Sequence, residues 1–520
     1  MRSPKVGLLS LTMIGIGCIS SNVYADIFDG TPQQLIVKHS NKCMDLRSPK
    51  TTDSAAVVQM SCNNDSFQKW KAVSVGKNEY QIISVGSGMC LDVSGASQQN
   101  GGRIKQSGCV SQRPNQTWYI KEVLENTYQI ISKNSNKCLD LTNASQNDDV
   151  QLQQWDCGGV NNQLWRTQPI LTPSEPIVID NKSNVVISNV KISNPAGPCI
   201  SVIGNSKNIT IKDSELGPCN TNYQSPRPDL SNVGAGVFVK SGDNITMSNL
   251  TIHDTEDSGV TIFYGSNYTV SNNRISKTLG HAVKAQGLSN ITIQNNTIDS
   301  VGSGIYVSGS SNVKVLKNNL SHMKGAPRAN FVQFNKVNGS GNRVMCNIGV
   351  QDKYGTAGSL DSIEDTISLY MSNGTATDPI LVVGNKVKNG GPSRTGSGIM
   401  LGDSGGSNII ARDNVVVNSG NLGIAASGGT NIQIINNKIF SLALPITNNA
   451  LAAWNYNVGE TICDKITVTG NQVNWVNKWG PDSKVWTNNT CTNSRFDGNK
   501  FNDSTMTEAI FDTYSSAECK

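Results

Sequence analysis

The sequence predicts an all-β chain assembled from two different repeats, and three observations carry that prediction. The tripeptides Gln68-Lys69-Trp70, Gln116-Thr117-Trp118 and Gln163-Leu164-Trp165 recur 48 and 47 residues apart. Beyond residue 177, short alternating strands return at a period near 22 to 23 residues. Charged residues make up 16% of the chain, well below the usual quarter, which suits turn-rich β-architecture better than surfaces held by ion pairs. At 520 residues the chain exceeds one ordinary core and calls for two to four domains.

The N-terminus reads as an export signal over residues 1–25. Arg2 and Lys5 precede an apolar stretch from Val6 to Ile19, and Val23-Tyr24-Ala25 offers small-residue cleavage near Ala25. That stretch is too short to span a bilayer, and no later segment is long enough. Cys18, after Gly15-Ile16-Gly17, is a candidate for lipid attachment, although the leucine usual in such boxes is missing. Removing the signal leaves twelve of 13 cysteines, an even number that an oxidising compartment favours. The mature protein is expected to be secreted, extracellular or periplasmic. A formal charge of +5 with no basic run gives no reason to expect a nucleic-acid partner.

In residues 27–168 a Cys-x-Asp precedes each tripeptide (Cys43-Met44-Asp45, Cys90-Leu91-Asp92, Cys138-Leu139-Asp140), and a second cysteine follows 19 residues after the first. Each unit is too small to bury a core, so three must pack around a common axis with their tryptophans converging. Each cysteine pair would staple a loop of its own unit, worth roughly 3 kcal/mol on the chain-entropy estimate.

These columns resemble a ricin-B-type β-trefoil lectin module, a resemblance covering about 140 residues. It implies sugar binding, often of galactose or xylose type, in up to three shallow pockets. Each pocket combines a carboxylate and amides for hydroxyls with an aromatic face for the ring. The third copy matches the family pocket at Asp140, Gln153, Trp155, Asn162 and Gln163. The second keeps Asp92, Asn115 and Gln116 but has Lys105 and Ser107 at the Gln and aromatic positions. The first keeps Asp45 and Gln68, with Met60 and Phe67 at the aromatic and Asn positions. One good site, one doubtful and one degenerate are expected; alternatively the Asp and Gln columns only brace their turns.

Residues 169–176, with Pro169, Pro173 and Pro176, read as a stiff connector. Over residues 177–520, Gly-apolar strands such as Ser258-Gly259-Val260 and Ser303-Gly304-Ile305 alternate with a second strand such as Asn290-Ile291-Thr292-Ile293 and an amide pair such as Asn295-Asn296. A constant period with two or three strands is a coil stacked on itself, rising about 4.8 Å per turn. Turn asparagines then form amide ladders, and triplets such as Asn208-Ile209-Thr210 and Asn244-Ile245-Thr246 read as ladder turns rather than glycosylation acceptors. About ten rungs fit. This resembles the right-handed parallel β-helix of pectate-lyase-like proteins, which specifies a fold and not a reaction.

Aligned rungs put Thr261, Lys284, Tyr306, Gln333, Ser368 and Met400 on one outward stripe, with a turn column His253, Ser276, Asp299, His322, Lys388 beside it. The loops Cys219–Val233 and Asn347–Ile363 interrupt the rungs and could wall a groove. Attack on a sugar chain needs a base, an acid and a neutraliser of charge. Lys284 and Tyr306, flanked by His281 and Arg328, fit elimination from a uronic acid; Asp365, Glu364 and Asp361 fit hydrolysis. The plainer readings are that His281 caps a turn, that Asp365 orders the turn after its loop, and that Arg328 lies on the surface. Lyases of the chondroitinase-B and alginate type place an Arg one rung after the Lys, where this chain has Tyr306 or Ser308. Asp254, Glu256 and Asp257 cluster as calcium ligands would, or form a solvated acidic loop; no other cofactor is expected. Trp454, Trp475, Trp479 and Trp486 are candidates for sugar stacking or for covering the end of the helix.

The expected function is a secreted, monomeric carbohydrate-binding protein whose β-helix degrades polysaccharide, by lyase rather than hydrolase chemistry. The alternative is a non-catalytic glycan-binding adhesin or matrix protein.

Overall fold

The computed structural model describes residues 30–520 except 49, 64, 125–126, 170, 221–233, 326–328, 352–362, 391–395 and 478. The expected signal peptide with Cys18 and Ala25, and Arg328 and Asp361, therefore lie outside the described residues, as does most of each expected wall loop. The chain divides into two compact units, Met1–Ile170 and Leu171–Lys520. Among the described residues no helix is long and apolar enough to cross a membrane.

The first unit is built from the tripeptide repeat. Each tryptophan opens a strand and turns its ring inward, and Trp70, Trp118 and Trp165 are almost completely buried in one core with Leu46, Val93 and Leu141. Their indole N–H groups donate to the carbonyls of Met44, Leu91 and Leu139 at 2.9, 3.1 and 3.1 Å, so the large apolar anchor leaves no orphaned donor. Trp70–Gly76 pairs with Glu79–Ser84 and Trp118–Leu124 with Thr127–Ser132, while Trp165–Pro169 returns to pair with the first strand, Gln33–Val37. Disulfides Cys43–Cys62, Cys90–Cys109 and Cys138–Cys157 each staple their own repeat.

A further threefold column holds the repeats together. Gln59, Gln106 and Gln154 are fully buried. Each donates its amide to two backbone carbonyls of a neighbouring repeat: Ser145 and Asn147, Lys50 and Thr52, Ser97 and Gln99. Each accepts in turn from Ser40, Ser87 or Ser135 at 2.6 Å. A buried amide with every polar atom engaged fixes the loop it grips.

The second unit is a coil of parallel strands, each paired with its copy one turn along. One sheet threads thirteen strands from Thr172–Ser174 onward, all parallel except the closing hairpin strand Gly480–Pro481. The coil thus stacks more parallel turns in this sheet than the expected ten. The expected connector is largely absorbed: Pro169 ends a strand of the first unit, and Thr172–Ser174 already pairs with Val190–Ile192 in the coil. Stacked valines, isoleucines and leucines fill one continuous core from Ile179 to Val485.

A ladder of asparagines runs through that core: Asn273, Asn296, Asn318, Asn347, Asn385, Asn414, Asn437, Asn471 and Asn499. Each Nδ2 donates to the next Oδ1 at 2.8–3.0 Å and also to a backbone carbonyl. A second ladder lies on the surface, where Asn208 donates to Asn184 and Asn244 to Asn208, so these triplets are ladder turns. At the C-terminal end Trp475 is buried, while Trp479 is exposed and Trp486 and Trp454 meet edge to face at 5.7 Å. The C-terminal residues run back to lay Phe511 on Val415 and Val417, tied down by Cys346–Cys519. Cys199–Cys219 and Cys463–Cys491 complete the pairings.

Candidate functional site

The third candidate pocket is assembled by the pairing of Cys138–Leu141 with Val150–Trp155, which sets Asp140 opposite Gln153 and Cys138 opposite Trp155. Asp140 accepts from Gln153 at 2.9 Å on one oxygen, and from Asn162 at 2.9 Å and Gln163 at 3.0 Å on the other. Burial raises the Asp140 carboxyl above its ordinary value, while the Gln153 and Gln163 amides favour the anion. Gln163 is fixed by donating to the Asp156 carbonyl and accepting from the Gly158 N–H. Trp155 remains 45% exposed beside this polar floor, a free aromatic face next to a bonded carboxylate. All five expected residues meet.

The second pocket keeps only its floor. Asp92 accepts from Asn115 at 3.0 Å and Gln116 at 2.9 Å, but Lys105 and Ser107 stand where the amide and ring are needed. The first is closed by a cation: Lys50 lies 3.0 Å from Asp45 and 3.0 Å from Asp65, with its ammonium over the Phe67 ring. Burial works against the Lys50 charge, but the bonds to Asp65 and Asp45 outweigh it and its pKa is raised. Asp45 is thereby ion-paired within its own repeat.

In the coil, strand register puts Thr261, Lys284, Tyr306, Gln333, Ser368 and Met400 side by side, as the alignment of rungs predicts. Thr261, Ser368 and Met400 are buried, so the half-exposed part of the stripe is Lys284, Tyr306 and Gln333. His281 joins them, its ring 5.3 Å from that of Tyr306. Burial, with the Lys284 ammonium beside it, pushes the His281 imidazole down to about 4, so it is neutral at pH 7. Asn335 donates to the Tyr306 hydroxyl at 3.0 Å, and the Lys284 ammonium sits 5.8 Å from the Phe263 ring. Among the described residues Lys284 has no ion pair.

The carboxylates do not join this group. Asp365 is fully enclosed, with one oxygen accepting from both the Ser397 N–H at 2.8 Å and its hydroxyl at 2.6 Å. Burial, together with Glu364 and Asp403 nearby, raises its carboxyl to about 7. Glu364 donates its N–H to the Ala329 carbonyl, which fixes the backbone entering the same turn. In the neighbouring turn column, Ser321 rather than His322 lies opposite Asp299, and His322 bonds that carboxylate from one residue beyond. Asp254 is engaged by His253, and no set of three ligating side chains converges among the described residues. What sequence reasoning missed was the Gln59, Gln106, Gln154 column, although its spacing of 47 and 48 residues is that of the tripeptides.

Residues 31–165 match the family model for the ricin-type beta-trefoil lectin domain, and residues 176–348 that for the right handed beta helix region. The chain is a ricin-type β-trefoil lectin domain joined to a β-helix region, and the lectin domain is a carbohydrate-binding one. No curated protein sequence matches it significantly. Among solved structures, the designed 3-fold symmetric protein ThreeFoil is 32% identical over 26% of this chain and 96% of its own, with a TM-score of 0.26. The exo-beta-1,3-galactanase 1,3Gal43A from Clostridium thermocellum is 31% identical over 26% of this chain and 30% of its own, with a TM-score of 0.26. The hemolytic lectin CEL-III is 24% identical over 26% of this chain and 29% of its own, with a TM-score of 0.22. The chain thus spans less than a third of the galactanase and of the hemolytic lectin.

Proposed function

We propose that this is an exported protein that holds a glycan in its third trefoil pocket and cleaves an acidic polysaccharide by elimination on the β-helix. The observation that supports cleavage is the meeting of Lys284, Tyr306 and His281 on adjacent coils, a cation with no ion pair among the described residues beside a neutral imidazole and a phenol. Lys284 would neutralise the uronate carboxylate, and His281 would take the proton alpha to it. The Tyr306 hydroxyl, oriented by Asn335, would protonate the leaving oxygen as the carbon–oxygen bond breaks and a carbon–carbon double bond forms. Hydrolysis is the weaker reading because Asp365 is enclosed and committed to Ser397. Six disulfides support an oxidising destination.

The test is ultraviolet detection of unsaturated uronates after incubation with pectate, alginate and chondroitin. Lys284→Ala is expected to lower kcat by about 10²-fold or more while leaving glycan binding intact. No product from any acidic polymer, with glycan binding retained, would make the chain a non-catalytic binder and sink the lyase reading.

A further inference from the structure

Each trefoil pocket is walled by a turn from another repeat, and the residue at the tip of that turn differs in all three. Ser54, Gly101 and Asp149 occupy equivalent places, with φ of 71°, 81° and 60°. Their N–H groups donate to the carbonyls of Gln106, Gln154 and Gln59, so each tip is docked against the binding strand of its neighbour. The buried amides of those same glutamines grip the turns from below.

Over the third pocket the tip is Gly101. A Cβ built there would lie 4.0 Å from Gln153 Oε1 and 4.0 Å from Trp155 Cζ3, between two of the sugar contacts. A longer side chain would lie across the amide and the ring. Over the second pocket the tip is Ser54, whose hydroxyl accepts from Lys105 at 3.2 Å, the residue that replaces the sugar-binding amide. Over the first the tip is Asp149, held by Arg47 at 2.7 Å, its N–H meeting the sulfur of Met60 at the aromatic position. Open tip and complete pocket coincide in one repeat, and filled tip and altered pocket in the other two.

We infer that this turn position gates sugar entry from the neighbouring repeat, and that Gly101 keeps the one complete pocket open. The inference rests on the sugar-binding role of the third pocket. Calorimetric titration of galactose, lactose and xylose into the full chain reads both affinity and stoichiometry. Gly101→Asn, a residue that accepts the left-handed backbone, is expected to weaken binding about tenfold or more. Gly95→Asn is the control, since Gly95 has φ of 63° in the same region but nothing within 4 Å of its Cβ; it should bind as the native chain does. The triple variant Ser54→Gly, Lys105→Gln, Ser107→Trp should raise the stoichiometry from one site to two. Native affinity in Gly101→Asn, or a triple variant that folds and still binds one sugar, would overturn the gate. Failure of the native chain to bind any of the three sugars would instead overturn the sugar-binding reading beneath it.

Discussion

Two titratable side chains in the coil respond to pH in opposite directions. Asp365 has its carboxyl raised from 3.8 to about 7, chiefly by burial. Between those values the folded chain holds a proton that the unfolded chain has released, so this group lowers stability as pH rises from about 4 to about 7. His281 is shifted from 6.5 to about 4, so the unfolded chain binds the proton first and stability falls as pH drops through that window. The two effects offset each other between pH 4 and 6.5, and single variants separate them. Asp365→Asn keeps an acceptor for Ser397 without the charge; it should remove the decline towards neutral pH and raise stability at pH 8 by roughly 2–4 kcal/mol in chemical denaturation. If His281 is the base, the acid limb of the pH–rate profile should lie near 4 rather than near 6.5. Neither environment is legible in the sequence, where His281 and Asp365 are both polar candidates beside short strands of the coil. Their difference arises from coverage, which a repeat pattern does not encode.

The ladder asparagines divide into two kinds of element with unequal importance. Asn318 donates to Ile293 and Asn347 and accepts from both nitrogens of Asn296, all within the core. Asn318→Ala would orphan those partners, and each buried polar group left unmade costs about 1–3 kcal/mol. A loss of roughly 3–5 kcal/mol is expected on that basis, read as a lower denaturation midpoint. Asn208→Ala, in the exposed ladder, should cost under about 1 kcal/mol because water replaces the lost partner. The strand stripe and the trefoil columns were readable beforehand because stacking requires equal spacing: Thr261, Lys284 and Tyr306 are 23 and 22 residues apart. The return of Phe511 over Val415 and Val417 had no such signal, since a tail packing on the outside of a coil has no copy elsewhere in the chain. The same limit applies to Lys50, whose closure of the first pocket depends on Asp65 arriving from across the loop.

At the scale of the whole molecule, a carbohydrate-binding unit and a coil carrying the Lys284, Tyr306 and His281 cluster share one polypeptide. On the proposed lyase reading, a polymer held by the trefoil would be presented to the coil at raised local concentration, without any new contact. Trp155→Ala should therefore weaken retention of polymer, by about 1 kcal/mol of stacking, and leave kcat on short soluble oligosaccharides unchanged. Equal losses on polymer and oligomer would argue against such tethering. The coil also accommodates length. Successive ladder asparagines are separated by 23, 22, 29, 38, 29, 23, 34 and 28 residues, yet every rung of the ladder closes. The amide contacts thus act as a reading frame for the fold: extra residues can enter between two marks without displacing the marks that follow. Loops between strands can grow, shrink or be exchanged one at a time while the stripe beneath them stays in phase. The outer surface can drift in such a molecule without renegotiating its architecture.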